Sequence, residues 1–179
     1  IKFCENGLYS YKKIIPALKE GDDRFIVTFD DDILYPLNSL EALVTKSKKF
    51  PNDIIANRLH EIKLKNTLPD IYSNWQKNCV SENHLSFFTS GGGALFPPNS
   101  FYKDILDKKI FMEICPSADD IWLNWMAKLN NKKIRYSGID KKYTLIKIIK
   151  SGLYKKNVKQ NFNDVQIKRI IEKYGFPYN

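Results

Sequence analysis

The stretch Phe25-Ile26-Val27-Thr28-Phe29-Asp30-Asp31-Asp32-Ile33-Leu34-Tyr35-Pro36 decides the fold that this sequence predicts. Its first five residues, four of them apolar, predict a buried strand in a largely parallel sheet that is covered on both faces. Three consecutive carboxylates are a poor way to end a strand for stability alone, because like charges repel. Ligands of open α/β sheets bind at the carboxyl ends of strands, so the triplet predicts a Mg²⁺ or Mn²⁺ site that bridges to a diphosphate. The alternative interpretation is a polar turn in which Asp residues cap the next helix.

The segments around this stretch predict β–α–β spacing and therefore an α/β fold with a parallel crossover. A helix kinked by Pro16 is predicted over residues 10–19, before the central strand. After the Asp triplet, a helix is predicted to residue 49 and a short strand over residues 54–56. The segment 58–83 lacks a clear period and is interpreted as loops with aromatic anchors. His60 in this segment and His84 just beyond it are interpreted as structural or surface residues rather than metal ligands.

A glycine run, Gly91, Gly92 and Gly93, interrupts the apolar stretch 87–98. Glycine permits positive φ and close approach of the backbone to a ligand. The surrounding residues do not form a phosphate-binding P-loop, since no GxxxxGK[ST] pattern is present. A tight turn or bulge between strands is the alternative.

Two carboxylates, Asp119 and Asp120, open a helix predicted to run to Asn130, with its tryptophans facing the core. The helix dipole favours negative charge at this position, so capping alone would explain one of them. A final helix is predicted from Asn163, as its cap, to Tyr174.

The composition favours one globular domain and excludes several classes. The chain has 179 residues, 43% of them hydrophobic, and no apolar run long enough to cross a bilayer. Three widely spaced cysteines without a CxxC pair suggest neither a disulfide framework nor a zinc site, so a cytoplasmic location is predicted. The net charge of +9 includes a lysine-rich zone at 141–159, which we interpret as solvated surface because no nucleic-acid-binding motif accompanies it.

Five stretches together resemble a GT-A-type glycosyltransferase, near the inverting, family-two-like enzymes of bacterial surface-polysaccharide synthesis. The matching pieces are, in order, Tyr11–Leu18, Ile26–Pro36, Ser90–Phe96, Asp119–Leu123 and Asn163–Gln166. Each is modest alone, but their order and spacing cover most of the chain. The resemblance implies a mixed sheet flanked by helices in a single domain, with residues 141–179 as a basic helical tail.

The resemblance also implies roles for the donor-side residues. Asp32 would coordinate Mn²⁺ or Mg²⁺ on the nucleotide-sugar diphosphate, and Asp30 would contact the ribose or the metal. Asp31 would also bind the donor, and the loop of Gly91, Gly92 and Gly93 would line the sugar site. Lys12 or Lys13 could also contact the diphosphate, with Lys13 as the donor-binding candidate, although a solvated helix face is the favoured interpretation of these lysines.

The Asp119–Asp120 pair matches the acidic pair whose second member is the general base of inverting enzymes. Asp120 would then be the base and Asp119 its support, although Asp replaces the usual Glu at the first position, which leaves the choice open. We expect the helix start to lower the pKa of the base and keep it ionised. We also expect one carboxylate to cap the helix while the other reaches the cleft.

The reaction so implied is sugar transfer from a nucleotide-sugar donor to a glycan or lipid-linked acceptor, at or near the inner face of the membrane, with no nucleic acid involved. Another metal-dependent phosphoryl-transfer enzyme or nuclease, and a non-catalytic basic module, are the alternatives. Only 24 residues precede Phe25, whereas a complete βαβ unit takes roughly 30 or more residues. We therefore expect the chain to lack most of the base-binding half and to present an exposed sheet edge, with room for a partner chain.

Overall fold

The computed structural model describes residues 7–21, 23–139, 144–145, 157 and 161–178. Its strands are β1 (Ile26–Thr28), β2 (Ile33–Leu34), β3 (Ile54–Ala56), β4 (Leu59–Glu61), β5 (Leu64–Lys65), β6 (Leu68–Pro69), β7 (Gln76–Cys79), β8 (Ser86–Phe88), β9 (Ala94–Phe96), β10 (Ile134–Tyr136) and β11 (Thr144–Leu145). Its α-helices are α1 (Ile15–Lys19), α2 (Ser39–Lys49), α3 (Lys108–Ile114), α4 (Asp119–Leu129) and α5 (Phe162–Tyr174). The class is mixed α/β, as predicted.

The central sheet is mixed rather than largely parallel. Its strand order is β1-β9-β3-β10. Strands β3 and β10 pair in parallel, whereas β9 pairs antiparallel with both β1 and β3. The crossover through α2 does make β1 and β3 run in the same direction, but β9 lies between them and takes their hydrogen bonds. The prediction of a largely parallel sheet was therefore wrong, because a strand from later in the chain returns between the two halves of the β–α–β unit.

Helices cover both faces of this sheet. On one face, Leu43 of α2 packs against Ile55 and Leu95 in a small buried cluster. On the other face, Ile54 and Phe96 belong to the main core, to which α3, α4 and α5 contribute. Successive residues of a strand point to opposite faces of the sheet, and both faces are buried. This explains why the strands have almost no polar positions. Strand β1 lies at one end of the sheet order, where Phe25 remains 53% exposed.

The segment between residues 58 and 83 is more ordered than predicted. It forms the β5–β6 hairpin and contributes β4 and β7 to a second sheet of order β7-β4-β8. The prediction of loops was wrong, because strands of two to four residues are too short to show a period in the sequence. The aromatic anchors are real: Trp75 is buried and packs edge-on against Phe87. His60 is also buried, and its Nδ1 accepts a hydrogen bond from the Asn78 backbone.

Both terminal helices differ in detail from the prediction. The first is a 3-10 helix, Tyr9–Lys13, followed by α1, which has Pro16 in its first turn. In α5, Asn163 lies inside the first turn and is buried, while Asn161 takes the N-cap position, so the predicted cap was wrong. Gly175, with φ of +72°, ends this helix as predicted.

The lysine-rich zone at 141–159 is the first part of the predicted basic helical tail, and α5 lies in the second part. The zone lies outside the described residues except for the backbone of 144–145, which forms β11, and Asn157. None of the helices in the described ranges is long and apolar enough to span a membrane.

Candidate active site

The register of the central sheet brings three separate chain segments to one place. Ala94, the first residue of β9, pairs with Thr28 at the end of β1 and with Ala56 at the end of β3. Because both pairings are antiparallel, the residues that precede Ala94 meet those that follow Thr28 and Ala56. The glycine run therefore lies beside the first Asp of the triplet on one side and beside Asn57 and Arg58 on the other.

The glycines are required by close contacts with protein side chains. Residues Ser90–Gly92 form a 3-10 turn. A Cβ added at Gly91 would overlap the Asp30 carboxylate. Gly93 has φ of +94°, and its Cβ would lie 2.8 Å from both Asn57 Nδ2 and Phe29 Cε1. Of the two expectations for this loop, positive φ is found at Gly93, whereas close approach of the backbone to a ligand stays a prediction.

The Tyr35 hydroxyl links the Asp-rich segment to the glycine loop through two hydrogen bonds. The Asp30 backbone N–H donates to the Tyr35 hydroxyl oxygen at 2.8 Å, and that hydroxyl donates to the Gly91 carbonyl at 2.6 Å. Burial is the main cause of the raised pKa of Tyr35. The phenol therefore stays protonated and able to donate at neutral pH.

Lys13 is a partly buried cation that joins the two predicted acidic clusters. Its Nζ lies 2.8 Å from Asp30 Oδ1 and 3.3 Å from Asp119 Oδ2. Burial alone would lower the pKa of Lys13, but Asp119, Asp120 and Asp30 raise it above its ordinary value, so the ammonium stays charged. The favoured interpretation of a solvated helix face was wrong for this residue.

Tyr11 connects the 3-10 helix that carries Lys13 to the short segment between α3 and α4. Its ring is fully buried and stacks on Phe111, with 4.3 Å between ring centroids. Its hydroxyl donates to the Cys115 carbonyl at 2.7 Å. Because Cys115 lies only four residues before Asp119, this contact fixes the distance between the lysine and the acidic pair.

Asp120 is held by the residue that opens the glycine loop. Its Oδ1 accepts hydrogen bonds from the Ser90 backbone N–H at 2.8 Å and from the Ser90 hydroxyl at 2.6 Å. The same hydroxyl lies 3.2 Å from Asp119 Oδ2, so its single proton points to the nearer carboxylate. Asp119 is buried, whereas Asp120 is partly exposed. Among the described residues, no donor binds Asp120 Oδ2, which leaves that oxygen for another partner.

Two expectations for this pair were wrong. The N-cap of α4 is Ala118, without a side-chain cap, so neither Asp119 nor Asp120 caps the helix as predicted. The pKa of Asp120 is raised to about 6, not lowered. Burial is the largest cause and the Asp119 carboxylate the next; Lys13 and the Ser90 hydrogen bonds act in the opposite direction without cancelling them. Burial of the carboxyl, together with the charge of Asp119, therefore outweighs the effect expected from the helix start.

Asn124 sets the position of α4 relative to the glycine loop. Its amide N–H donates to the Phe88 carbonyl at 2.8 Å, and its Oδ1 accepts from the Phe88 backbone N–H at 3.0 Å. The same amide nitrogen donates to the Asp120 carbonyl at 2.8 Å. This fully buried amide therefore connects β8, which leads into the loop, with the turn of helix that carries the acidic pair.

Asp31 and Asp32 lie apart from this buried cluster, in the exposed turn between β1 and β2. Neither forms a hydrogen bond or ion pair with another described residue. Within the described ranges, no group of three or more His, Cys, Asp or Glu side chains could hold a metal ion. Mg²⁺ is often bound by one or two carboxylates together with substrate phosphates and water. The donor atoms of this turn fit a metal ion shared with a diphosphate, rather than one held by protein ligands alone.

The structure thus unites most of the residues predicted from the sequence. Asp30, Lys13, the glycine loop, Asp119 and Asp120 form one site, with Asp31 and Asp32 beside it. Sequence reasoning missed Arg58, Asn124 and the individual roles of Ser90 and Tyr35. One signal was readable: Asn124 is a polar residue among the tryptophans of α4.

Comparison with known proteins adds no assignment, since no family model, curated protein or solved structure matches the chain.

Proposed function

We propose that this protein is an inverting, metal-dependent glycosyltransferase of GT-A type, which transfers a sugar from a nucleotide-sugar donor to an acceptor hydroxyl. The observation that carries the proposal is the convergence of two acidic clusters, 89 positions apart in the sequence (Asp30 and Asp119), on one partly buried lysine. A reaction of this kind needs acidic groups in two places, one for the metal-bound diphosphate and one for the acceptor proton.

Asp120 is the proposed general base. Its Oδ1 is fixed by Ser90, while Oδ2 has no donor among the described residues. A pKa of about 6 leaves the carboxylate ionised at neutral pH, yet basic enough to accept a proton. In the step that we propose, the acceptor oxygen bonds to the anomeric carbon as the bond from that carbon to the diphosphate oxygen breaks. The hydroxyl proton passes to Asp120, and the electron pair of the broken bond leaves with the diphosphate.

The donor diphosphate is proposed to bind beside the exposed turn that follows β1. Asp32, with Asp30, would hold Mn²⁺ or Mg²⁺, which supplies positive charge to the departing diphosphate. Asp31 would complete the acidic turn. Gly91, Gly92 and Gly93 would line the sugar site, because the missing side chains let this buried loop lie directly against Asp30 and Arg58.

Lys13 and Asp119 are proposed to position these groups. The ammonium of Lys13 is already engaged by Asp30 and Asp119, so it links the donor side to the base side. Its charge also lowers the pKa of Asp120, against burial and Asp119. A direct contact from Lys13 to the diphosphate stays a prediction, as do a glycan or lipid-linked acceptor, a location at the inner face of the membrane and a partner chain at the sheet edge.

A ligand screen tests the proposal. We expect one member of a panel of UDP-, GDP- and CMP-sugars to raise the melting temperature when Mn²⁺ is present. Asp32→Ala should abolish the Mn²⁺-dependent gain and Asp30→Ala should weaken it, whereas Asp23→Ala is the matched control, since its side chain is 86% exposed and lies before β1. If Asp32→Ala kept the wild-type affinities for Mn²⁺ and nucleotide in calorimetry, the proposed donor site would be wrong.

A further inference from the structure

Arg58 is a cation of the candidate site that the function described above does not use. It lies between β3 and β4, immediately before Leu59, and is partly buried. Its backbone carbonyl accepts from the Thr89 N–H at 3.1 Å, and its side-chain Nε donates to the Thr89 hydroxyl. Both ends of the residue are thus fixed to the position that precedes the glycine loop.

The guanidinium points toward the donor side of the site. Its stem packs over Gly92, where an added Cβ would overlap the Arg58 Cβ. Its terminal Nη2 lies 3.5 Å from the point that a Cβ of Gly91 would occupy, and the Asp30 carboxylate contacts the same point. The positive charge also reaches the Tyr35 hydroxyl, where it opposes the effect of burial, the main cause of the raised pKa of that group.

Arg58 nevertheless has no acidic partner within the described ranges. No carboxylate there lies within ion-pair distance of it, although Asp30 is nearby, and neither terminal nitrogen has a hydrogen-bond acceptor. The terminal nitrogens of Arg58 are not among the buried polar atoms without a partner in the described residues, so they reach solvent and are open to a ligand. Packing over Gly92 needs only the apolar stem, which a Leu or Met could supply. The unused donors indicate a ligand that accepts hydrogen bonds and carries negative charge.

We propose that Arg58 binds the phosphate that departs with the nucleotide. The planar guanidinium presents two terminal nitrogens in a fork that matches two oxygens of one phosphate. It also counters the negative charge of the Asp turn, which on its own would repel a diphosphate. As the bond from sugar to phosphate breaks, negative charge grows on the phosphate oxygens, and the hydrogen bonds from Arg58 strengthen. The identity of the anion rests on the proposed function, whereas the anion site itself does not.

Inorganic pyrophosphate with Mg²⁺ is the probe, because it contains the phosphates without base or sugar. Calorimetry on the full chain should show that Arg58→Gln weakens pyrophosphate binding by about tenfold or more. Arg58→Lys, which keeps the charge but not the fork, should give a smaller loss. Arg24→Gln is the matched control: it removes the same charge from an exposed side chain before β1, and should leave the affinity unchanged.

The outcomes separate this inference from the proposed function. Wild-type affinity in Arg58→Gln, or no pyrophosphate binding by the wild type, would overturn the assignment of Arg58. If sugar transfer is observed and Arg58→Gln leaves kcat unchanged, the transferase stands and the inference fails. If no nucleotide sugar is used but Arg58→Gln and Arg58→Lys both lose pyrophosphate, the anion site stands and the transferase fails. A urea-unfolding midpoint for each variant shows whether the loss comes from the site or from the fold.

Discussion

Replacing Asp120 with Asn should stabilise the folded protein at neutral pH. The pKa of this carboxyl rises from its ordinary value of 3.8 to about 6 on folding, chiefly because of burial and then because of Asp119. A group whose pKa is raised by folding favours the folded state when protonated, and this contribution is lost as the pH rises from about 4 through about 6. One pKa unit corresponds to roughly 1.4 kcal/mol. The ionised carboxylate therefore costs the folded state at most about 3 kcal/mol above pH 6.

Asn removes this cost with little change in shape. Its Oδ1 can accept the same hydrogen bonds from Ser90, and it carries no charge near Asp119. Since Asp120 keeps some solvent exposure, we expect a gain of about 2–3 kcal/mol at pH 7, or roughly 4–12 °C in melting temperature. The difference should be small at pH 4 and should disappear below about pH 3, where the wild-type carboxyl is protonated in both states.

Urea unfolding at pH 4, 5, 6 and 7 tests this expectation. The fluorescence of the two fully buried tryptophans of α4, Trp122 and Trp125, reports the transition. Asp23→Asn is the control, because its side chain is 86% exposed and should show no such pH-dependent gain. A variant less stable than the wild type at pH 7, or a difference that does not change with pH, would refute the argument that the ionised Asp120 carboxylate destabilises the folded protein.

Three further outcomes follow from the same contacts. Lys13→Met should lower the free energy of unfolding by about 3 kcal/mol, because it leaves the buried Asp119 carboxylate without its cation partner. In a double-mutant cycle of urea-unfolding free energies, adding Asp119→Asn should recover part of this loss. Strict additivity of the two changes would contradict the pairing. Gly91→Ala should lower the free energy of unfolding by about 1–3 kcal/mol in the same assay, because the added methyl overlaps the Asp30 carboxylate. The loss should be smaller when Asp30 is also replaced by Gly. An equal loss with and without Asp30 would show that this contact does not matter. Sugar transfer should decline as the pH falls through about 6, where Asp120 takes up its proton; an initial-rate profile that is flat from pH 5 to 8 would exclude this titration.

The sequence allows prediction of those elements of the fold that depend on residues close together in the chain. Helix α2 is correctly predicted because it has a clear helical period and ends before Phe50, and β3 because it is a short apolar run that ends before Asn57. The place of β9 between β1 and β3 could not be predicted, since it depends on which distant strand takes the free hydrogen bonds. Strands as short as β4 and β7 carry no readable period, and their pairing depends on neighbours far along the chain.

The candidate site shows the same division. The residue types were predictable, because an Asp triplet after a strand, a glycine run and an acidic pair at a helix start each suggest chemistry. Their mutual distances were not predictable, so the link from Lys13 to both acidic clusters appears only in the structure. The direction of the Asp120 pKa was misjudged for the same reason: the local helix start was visible in the sequence, whereas burial and the contribution of Asp119 depend on packing.

The measurement that tests the central claim most directly is the rate of sugar transfer by Asp120→Asn, with donor affinity measured on the same sample. With the nucleotide sugar identified in the thermal screen, transfer should fall by roughly 10²–10⁴-fold, because the acceptor proton has lost its base. Donor affinity should stay at the wild-type value, since the donor is assigned to the turn after β1 and to the glycine loop. Transfer at the wild-type rate by Asp120→Asn, with Asp119→Asn inactive, would contradict the assignment of Asp120 as the base; full activity in both variants would place the base outside this site.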